Sequence, residues 1–229
     1  MSRVRHWRSA PGPSRGGLTV HAVHEDPATG LRQSVYRLTG EAELAGPGVD
    51  RLETLYVLSG RGTLTAGGTD HPLNAQVAAL RLGEEPCAVS AAEELVIVSV
   101  AASERAGVAC GPRRPTIDLA GQVAEDAVSE REFRMLFGPE TGCSGVTQFV
   151  GYVPPIRTPR HFHPYSEMIF VLAGRGEVEI DGEVSAIGPG CCFYLPAGLP
   201  HQVANLGDGF LELLGVFTPA GSPAENSPA

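Results

Sequence analysis

Four residues of the types that bind metal ions lie close together in the C-terminal half of the chain. His161, His163 and Glu167 form an H-x-H-x3-E run, and His201 follows thirty-four residues after the glutamate. In an extended strand His161 and His163 project to the same side, and a turn after Pro164 would bring Glu167 to the same cavity. Imidazole suits iron, nickel, copper and zinc, whereas a carboxylate favours manganese and iron. We therefore expect one divalent transition metal per chain, iron or manganese first, with nickel, zinc or copper as alternatives.

Glycine and proline residues around these ligands indicate strands joined by tight turns. They stand at Gly174, Gly190, Pro196 and Gly198. Together with the four ligands, this spacing resembles the two sequence motifs of the cupin superfamily. The resemblance implies a double-stranded β-helix, or jelly-roll barrel, with the metal inside it. One position departs from the family pattern, because Pro155 stands where a glycine is usual.

An internal repeat accounts for the length of 229 residues. Residues 53–68 align with residues 167–182 at a constant offset of 114, and seven of the sixteen positions are identical. Repetition at a fixed offset indicates two copies of one structural unit. The sequence is therefore interpreted as a bicupin, with two cupin domains in one chain.

The metal motif is intact only in the C-terminal copy. At the same offset Glu167 keeps its counterpart, Glu53. The three histidines fall instead on Pro47, Val49 and Cys87. We expect the N-terminal cupin to be metal-free and to support the other one.

The predicted fold class is all-β, a duplicated cupin with a short helical linker. Helices are expected over residues 119–128 and 129–137, because Ser129 and Glu132 have the spacing of a capping box. Residues 1–17 are expected to be frayed, since they are rich in Arg, Gly, Pro and Ser. The predicted domains are a degenerate cupin over 1–108, the linker over 109–143, the metal-binding cupin over 144–218 and a disordered tail over 219–229.

Composition narrows the range of partners. The chain has 26 acidic and 17 basic residues and a formal net charge of −9, which argues against nucleic acid and anionic membranes. No apolar run reaches transmembrane length, and no secretory signal is recognisable. Five cysteines, an odd number, do not indicate a disulfide framework. We expect a cytoplasmic monomer or homodimer that acts on a small molecule. Because every basic residue is an arginine, Schiff-base and pyridoxal-lysine chemistry are excluded.

Several residues near the ligands are candidates for contact with a substrate. Tyr165 could donate a proton, and Arg160 could bind a substrate carboxylate at the mouth of the cavity. The predicted pocket residues are Gln148, Phe149, Phe162 and Tyr194.

Three functions fit a site with three histidines and one glutamate. The first is a dioxygenase or other oxidoreductase, in which a redox-active ion holds O2 beside an organic substrate. The second is a non-redox isomerase, lyase or decarboxylase that uses the ion as a Lewis acid. The third is a metal-containing bicupin that binds a small molecule without turnover. Open coordination positions favour catalysis.

Overall fold

Short strands separated by glycine-containing turns make up most of the chain in the computed structural model, which describes residues 3–104, 111–225 and 227–229. Ten strands lie before residue 119: β1 (Val4–His6), β2 (Ser14–Arg15), β3 (Leu18–Asp26), β4 (Leu31–Leu44), β5 (Arg51–Ser59), β6 (Arg61–Ala66), β7 (Thr69–Asn74), β8 (Val77–Leu82), β9 (Cys87–Ser103) and β10 (Thr116–Asp118). Eleven follow: β11 (Ala124–Asp126), β12 (Glu132–Phe137), β13 (Thr147–Val153), β14 (His161–Phe162), β15 (Ser166–Ala173), β16 (Gly176–Ile180), β17 (Glu183–Ile187), β18 (Cys191–Leu195), β19 (His201–Asn205), β20 (Leu211–Thr218) and β21 (Ser227–Pro228).

The helical segments of the described residues are three single 3-10 turns, Trp7–Ser9, Leu119–Gly121 and Pro139–Thr141. None of the helices in this part of the chain is long and apolar enough to span a bilayer.

These strands form one barrel in each half of the chain. The N-terminal barrel is a nine-stranded sheet with the order β10-β8-β5-β9-β4-β3-β2, and the β6–β7 hairpin pairs with β9. The C-terminal barrel is built from a seven-stranded sheet, β1-β18-β15-β20-β13-β12-β11, and a five-stranded sheet, β17-β16-β19-β14-β21. All the ladders are antiparallel, and this arrangement confirms the predicted all-β class.

Alternation of side chains along the strands divides the buried apolar residues among two barrel interiors, a layer between the barrels and a smaller aromatic cluster of Phe133, Phe149, Tyr165 and Phe217. On β15, Ile169 and Val171 face the interior of the C-terminal barrel, whereas Met168 and Phe170 face a layer shared with the N-terminal barrel. On β5, Leu55 and Val57 face the interior of their own barrel. The shared layer contains buried side chains from both halves, so the barrels pack through one continuous apolar core.

The expected helical linker is wrong. Residues 124–126 and 132–137 are strands that extend the seven-stranded sheet along the edge of β13. Ser129, the expected N-cap, and Glu130 have φ angles of 65° and 58°, which places them in a left-handed turn between β11 and β12. Pairing with the free edge of β13 satisfies the backbone of this segment, and it overrides the local capping signal. Residues 109–110 of the predicted linker, residues 1–2 and 105–108 of the predicted first domain, and residue 226 lie outside the described ranges.

The expectation of a frayed N-terminal segment is also wrong for the described residues from Arg3 onward. Strand β1 pairs with β18 in the other half of the chain, and the Trp7 side chain is only 4% exposed. The Trp7 backbone N–H donates to the carbonyl of Gly190 at 3.1 Å. Gly190 has a φ of +87°, and a Cβ there would lie 2.6 Å from His6 Nε2, so the close approach requires glycine. Burial of the indole stabilises a segment that is otherwise polar.

The C-terminal tail differs from the expected disorder in the part that the structure describes. Strand β21 pairs with β14, where Phe162 lies opposite Ser227 and His161 opposite Pro228. The expectation rested on the shortage of large apolar side chains in the tail. The structure holds this segment mainly through backbone and polar contacts, which such composition arguments do not detect.

Candidate metal centre

Three of the four predicted ligands converge inside the C-terminal barrel. His161 on β14 and His201 on β19 are directly opposite each other in the ladder, and His163 follows β14 on the same side of the chain. The candidate ligand atoms of the three side chains all lie within 4.8 Å of one another, and all three residues are buried. The antiparallel pairing of two short strands therefore creates the cluster.

The Nδ1 atom of each imidazole contacts a backbone carbonyl oxygen. His161 Nδ1 lies 2.8 Å from the Pro159 oxygen, and His201 Nδ1 lies 3.0 Å from the Leu199 oxygen. His163 Nδ1 lies 3.1 Å from the carbonyl oxygen of Glu225 in the tail. A carbonyl oxygen can only accept, so each Nδ1 carries the proton and donates it, which leaves the Nε2 lone pair free. This arrangement orients histidines that bind metal in proteins.

Burial keeps these imidazoles neutral. It lowers the pKa of His163 to about 4 and that of His201 to about 3, and it also lowers the pKa of His161. Repulsion between the neighbouring imidazoles and from Arg131 acts in the same direction. Neutral imidazole is the form that coordinates a metal ion.

Glu167 on β15 lies at the edge of the histidine cluster. Its Oε2 atom is 3.8 Å from His163 Nε2, and its side chain is almost fully buried. Burial raises the pKa of Glu167 to about 8, while the positive charge of Arg131 lowers it. A buried carboxyl group of this kind gains a charge partner when a cation binds beside it. The donor set of three neutral nitrogens and one carboxylate therefore fits a divalent transition metal.

A glycine opposite Glu167 keeps space for this carboxylate. Gly215 on β20 pairs with Ile169 of β15 and with Phe149 of β13. A Cβ at Gly215 would lie 3.0 Å from Glu167 Oε1 and 2.4 Å from Phe149 Cζ. Sequence reasoning missed this residue because its neighbours depend on the pairing of three strands.

The histidines and Glu167 lie in the wall of a small, partly open cavity of about 70 Å³. Most of the wall is apolar, and its charged members besides Glu167 are Arg131 and Glu132. The other lining residues include Phe133, Phe149, Val153, Thr158, Ile169, Val203, Leu213, Phe217 and Pro223. A mostly apolar wall with a few polar and charged groups is characteristic of sites that bind small organic molecules.

One of the four predicted pocket residues, Phe149, lines this cavity. Gln148 is fully buried but adjacent to Phe149 on β13, so it points to the opposite face of the sheet. Tyr194 packs against the shared layer, and its hydroxyl donates to Asp26 Oδ2 at 2.8 Å. Phe162 is half-buried, follows His161 on β14 and does not line the cavity.

The two predicted catalytic residues have partners outside the cavity. The Tyr165 hydroxyl donates to the carbonyl oxygen of Ser222 at 2.5 Å. Arg160 forms a partly exposed ion pair with Glu179 at 3.3 Å. Neither side chain lines the cavity, and we assign neither a part in the proposed chemistry.

The tail closes one side of the site, which the sequence did not indicate. Pro223 lines the cavity, and the carbonyl oxygens of Ser222 and Glu225 accept hydrogen bonds from Tyr165 and His163. A backbone carbonyl acts in the same way whatever the side chain, so no residue pattern could have identified it.

In the N-terminal barrel the equivalent glutamate has protein partners. Glu53 forms a buried ion pair with Arg81 and accepts hydrogen bonds from Ser99 and, at 2.6 Å, from the Tyr36 hydroxyl. Arg81 lies opposite Glu53 in the β5–β8 ladder, as Leu195 lies opposite Glu167 in the β15–β18 ladder. The arginine thus supplies the positive charge beside the carboxylate of this barrel.

Comparisons with known proteins agree with this architecture. The family model described as Cupin domain (Cupin_2) matches residues 149–217. A Streptomyces cyaneus protein named Polyketide synthase CurC is 29% identical over 99 residues, which is 42% of this chain. The match spans 64% of the length of that curated relative.

Two solved structures have a similar fold. A deletion mutant of Bacillus subtilis oxalate decarboxylase OxdC superposes with a TM-score of 0.76 at 15% identity, over 96% of this chain and 78% of that chain. A Cupin 2 conserved barrel domain protein from Leptotrichia buccalis superposes with a TM-score of 0.68 at 14% identity, over 95% and 96%. The sequence match identifies a cupin domain at residues 149–217, and the two structural likenesses show that the chain as a whole has the cupin fold.

Proposed function

We propose that this chain is a metal-dependent cupin enzyme that oxidises a small organic molecule with O2. One divalent ion would be held by His161, His163, His201 and Glu167. The observation that carries the proposal is the convergence of three buried imidazoles whose Nδ1 atoms all donate to carbonyl oxygens. When bound, a redox-active ion such as iron supplies the electrons that activate O2.

The composition of the cavity wall supports oxidation over acid–base chemistry. Isomerases and lyases need a proton-transfer group beside the substrate, with a pKa near the working pH. Besides the predicted ligands, the titratable lining residues in the described part of the chain are Arg131, Glu132 and Tyr152. Glu132 is exposed, and burial raises the pKa of Tyr152, so it keeps its proton. The chain's own residues would mainly hold the substrate and exclude water.

Non-redox decarboxylation is the second candidate. It is supported by the similarity in fold to the oxalate decarboxylase from Bacillus subtilis. In that case the ion would act as a Lewis acid on a carboxylate of the substrate.

Metal content is the first test. The protein is purified without added nickel, because nickel and copper displace iron by their higher affinity. Elemental analysis is then expected to give close to one transition metal ion per chain. His163→Ala and His201→Ala are each expected to abolish this content. The matched control is Glu53→Gln, which changes the equivalent carboxylate of the other barrel and should leave the metal unchanged. Retention of a full equivalent of metal by both histidine variants would contradict the proposed site.

Oxygen dependence then separates the two reactions. Protein reconstituted with iron or with manganese is expected to consume O2 in step with substrate loss across a panel of enols, diketones, phenols and small organic acids. Equal turnover under strict anaerobiosis would exclude dioxygenation and support the second candidate.

A further inference from the structure

An arginine lies in the wall of the candidate metal cavity, in the turn that precedes β12. Arg131 lines this cavity together with the three histidines and Glu167. Its Nε atom donates to the carbonyl oxygen of Val128 at 2.8 Å, which fixes the plane of the guanidinium group. The neighbouring segment also holds its backbone, since the Ala127 N–H donates to the Arg131 oxygen at 2.7 Å. The cation is therefore positioned by the β11–β12 turn.

The guanidinium group has no carboxylate partner at ion-pair distance within the described ranges. The charge of Glu167 acts on it, and its own positive charge acts on all three histidines and on that glutamate. Glu132 also lines the cavity, but its side chain is exposed and its charge is screened by solvent. A partly buried arginine whose terminal nitrogens lack an anion is suited to bind one from outside.

The balance of charge in the cavity points the same way. The three neutral imidazoles contribute no charge, and the carboxylate of Glu167 offsets one of the two positive charges of a divalent ion. Arg131 adds another positive charge, so the loaded cavity is cationic although the whole chain has a net charge of −9. The rest of the wall consists mainly of apolar and aromatic side chains such as Phe149 and Phe217.

We infer that Arg131 is a substrate-binding residue and that the substrate is an organic acid. Its carboxylate would accept hydrogen bonds from the guanidinium group, and its apolar part would lie against the aromatic wall. This inference rests on the proposed function for the location of the site, and it defines the substrate class that the proposal leaves open. It applies to oxidation and to decarboxylation alike, because both need the acid held beside the metal.

Binding of two probes of matched shape tests the inference. Benzoate and benzamide differ mainly in charge, and isothermal titration calorimetry measures their affinity for metal-loaded protein and for protein stripped with a chelator. Benzoate is expected to bind at least tenfold more tightly than benzamide. Arg131→Gln should weaken benzoate about 10- to 100-fold and change benzamide less than twofold, as expected for the loss of a charged hydrogen bond. Arg131→Lys should give an intermediate benzoate affinity, since it keeps the charge and loses the fixed guanidinium plane.

The matched control is Arg134→Gln. Arg134 is on β12, is also partly buried and does not line the cavity, although its guanidinium group lies over the ring of Tyr152, which does. The Arg134→Gln substitution makes the same change in net charge as Arg131→Gln and should leave benzoate binding unchanged. Equal weakening by both glutamine variants, or no weakening by Arg131→Gln, would overturn the inference.

The two preparations separate this inference from the metal proposal. Loss of benzoate affinity in Arg131→Gln without any metal bound by the unsubstituted protein would support the anion site and contradict the metal centre. Full metal occupancy, with a benzoate affinity that does not depend on residue 131, would support the metal centre and contradict the anion site.

Discussion

At the residue scale, two equivalent glutamates are neutralised in different ways. Glu53 faces Arg81 across its ladder, whereas Glu167 faces Leu195 and lies beside His163 at the edge of the histidine cluster. Arg81 also donates to the carbonyl oxygen of Leu44 at 2.9 Å, so it links Glu53 to the backbone in a buried polar network. The barrel with an internal cation thus differs from the one that can accept a metal at this paired position as well as at the three histidine positions, which are Pro47, Val49 and Cys87 in the N-terminal copy.

The first prediction concerns that buried ion pair. Arg81→Leu should destabilise the protein by about 3–5 kcal/mol, because it leaves Glu53 buried without a positive partner. The double variant Arg81→Leu/Glu53→Leu should recover part of this loss, since both charges are then removed. Urea unfolding followed by circular dichroism gives the free energy of unfolding of the single and of the double variant. A single variant as stable as the unsubstituted protein would show that the pair contributes nothing.

The grouping of the three histidines could be predicted from the sequence, because the metal motif depends on side-chain type and on spacing. Arg131 was not singled out, since it lies in a segment that local signals marked as helix. The roles of Gly215 and of the Glu225 carbonyl could not be predicted for another reason. Their effect depends on the position of the backbone in the folded chain.

At the element scale, the tail contributes to the site through its backbone. The Glu225 carbonyl accepts from His163, Pro223 lines the cavity, and β21 lies beside β14. A Cβ at Gly221 would lie 2.1 Å from Tyr165 Cε1, so the tail also packs closely on that ring. The tail therefore belongs structurally to the metal-binding barrel.

The second prediction removes this element. Truncation after Ala220 leaves β20 complete and removes the acceptor that orients His163. Metal affinity should fall about 10- to 100-fold, as for the loss of other groups that orient metal-binding histidines. Competition with a chelator measures the affinity, and circular dichroism checks that the barrels remain folded.

Tyr165→Phe provides a milder version of the same test. It removes the hydroxyl that holds Ser222 and leaves the Glu225 carbonyl in the chain. Its effect on metal affinity should be smaller than that of truncation. Metal affinity unchanged by truncation would show that His163 is oriented without the tail.

Strand patterns and turns were predictable for both barrels, because alternation and glycine positions are local signals. The elements that were missed are β1, β2, β10, β11, β12 and β21. Each is short or polar and forms by pairing with a strand distant in sequence or with an open sheet edge, so its own residues carry little evidence of it.

At the scale of the whole molecule, the two barrels share one apolar layer. Val150, Met168, Phe170 and Val216 from the C-terminal half pack there against side chains of the N-terminal half. The barrels are therefore expected to unfold together, since separating them exposes a continuous apolar face.

The third prediction follows from this layer. Differential scanning calorimetry should give one transition, with the calorimetric enthalpy equal to the van't Hoff enthalpy. Residues 111–229 expressed alone should be insoluble or poorly folded. Two resolved transitions, or a stable C-terminal half, would show that the shared layer does not couple the barrels.

The pairing of β1 with β18 also constrains the order of events during synthesis. Val4 emerges from the ribosome long before its partner Phe193, so the sheet that carries Glu167 cannot be complete until most of the chain has been translated. His163 acquires its acceptor later still, when Glu225 becomes available. The site is thus assembled last, and the ion would be loaded into a chain whose N-terminal barrel has already had time to fold.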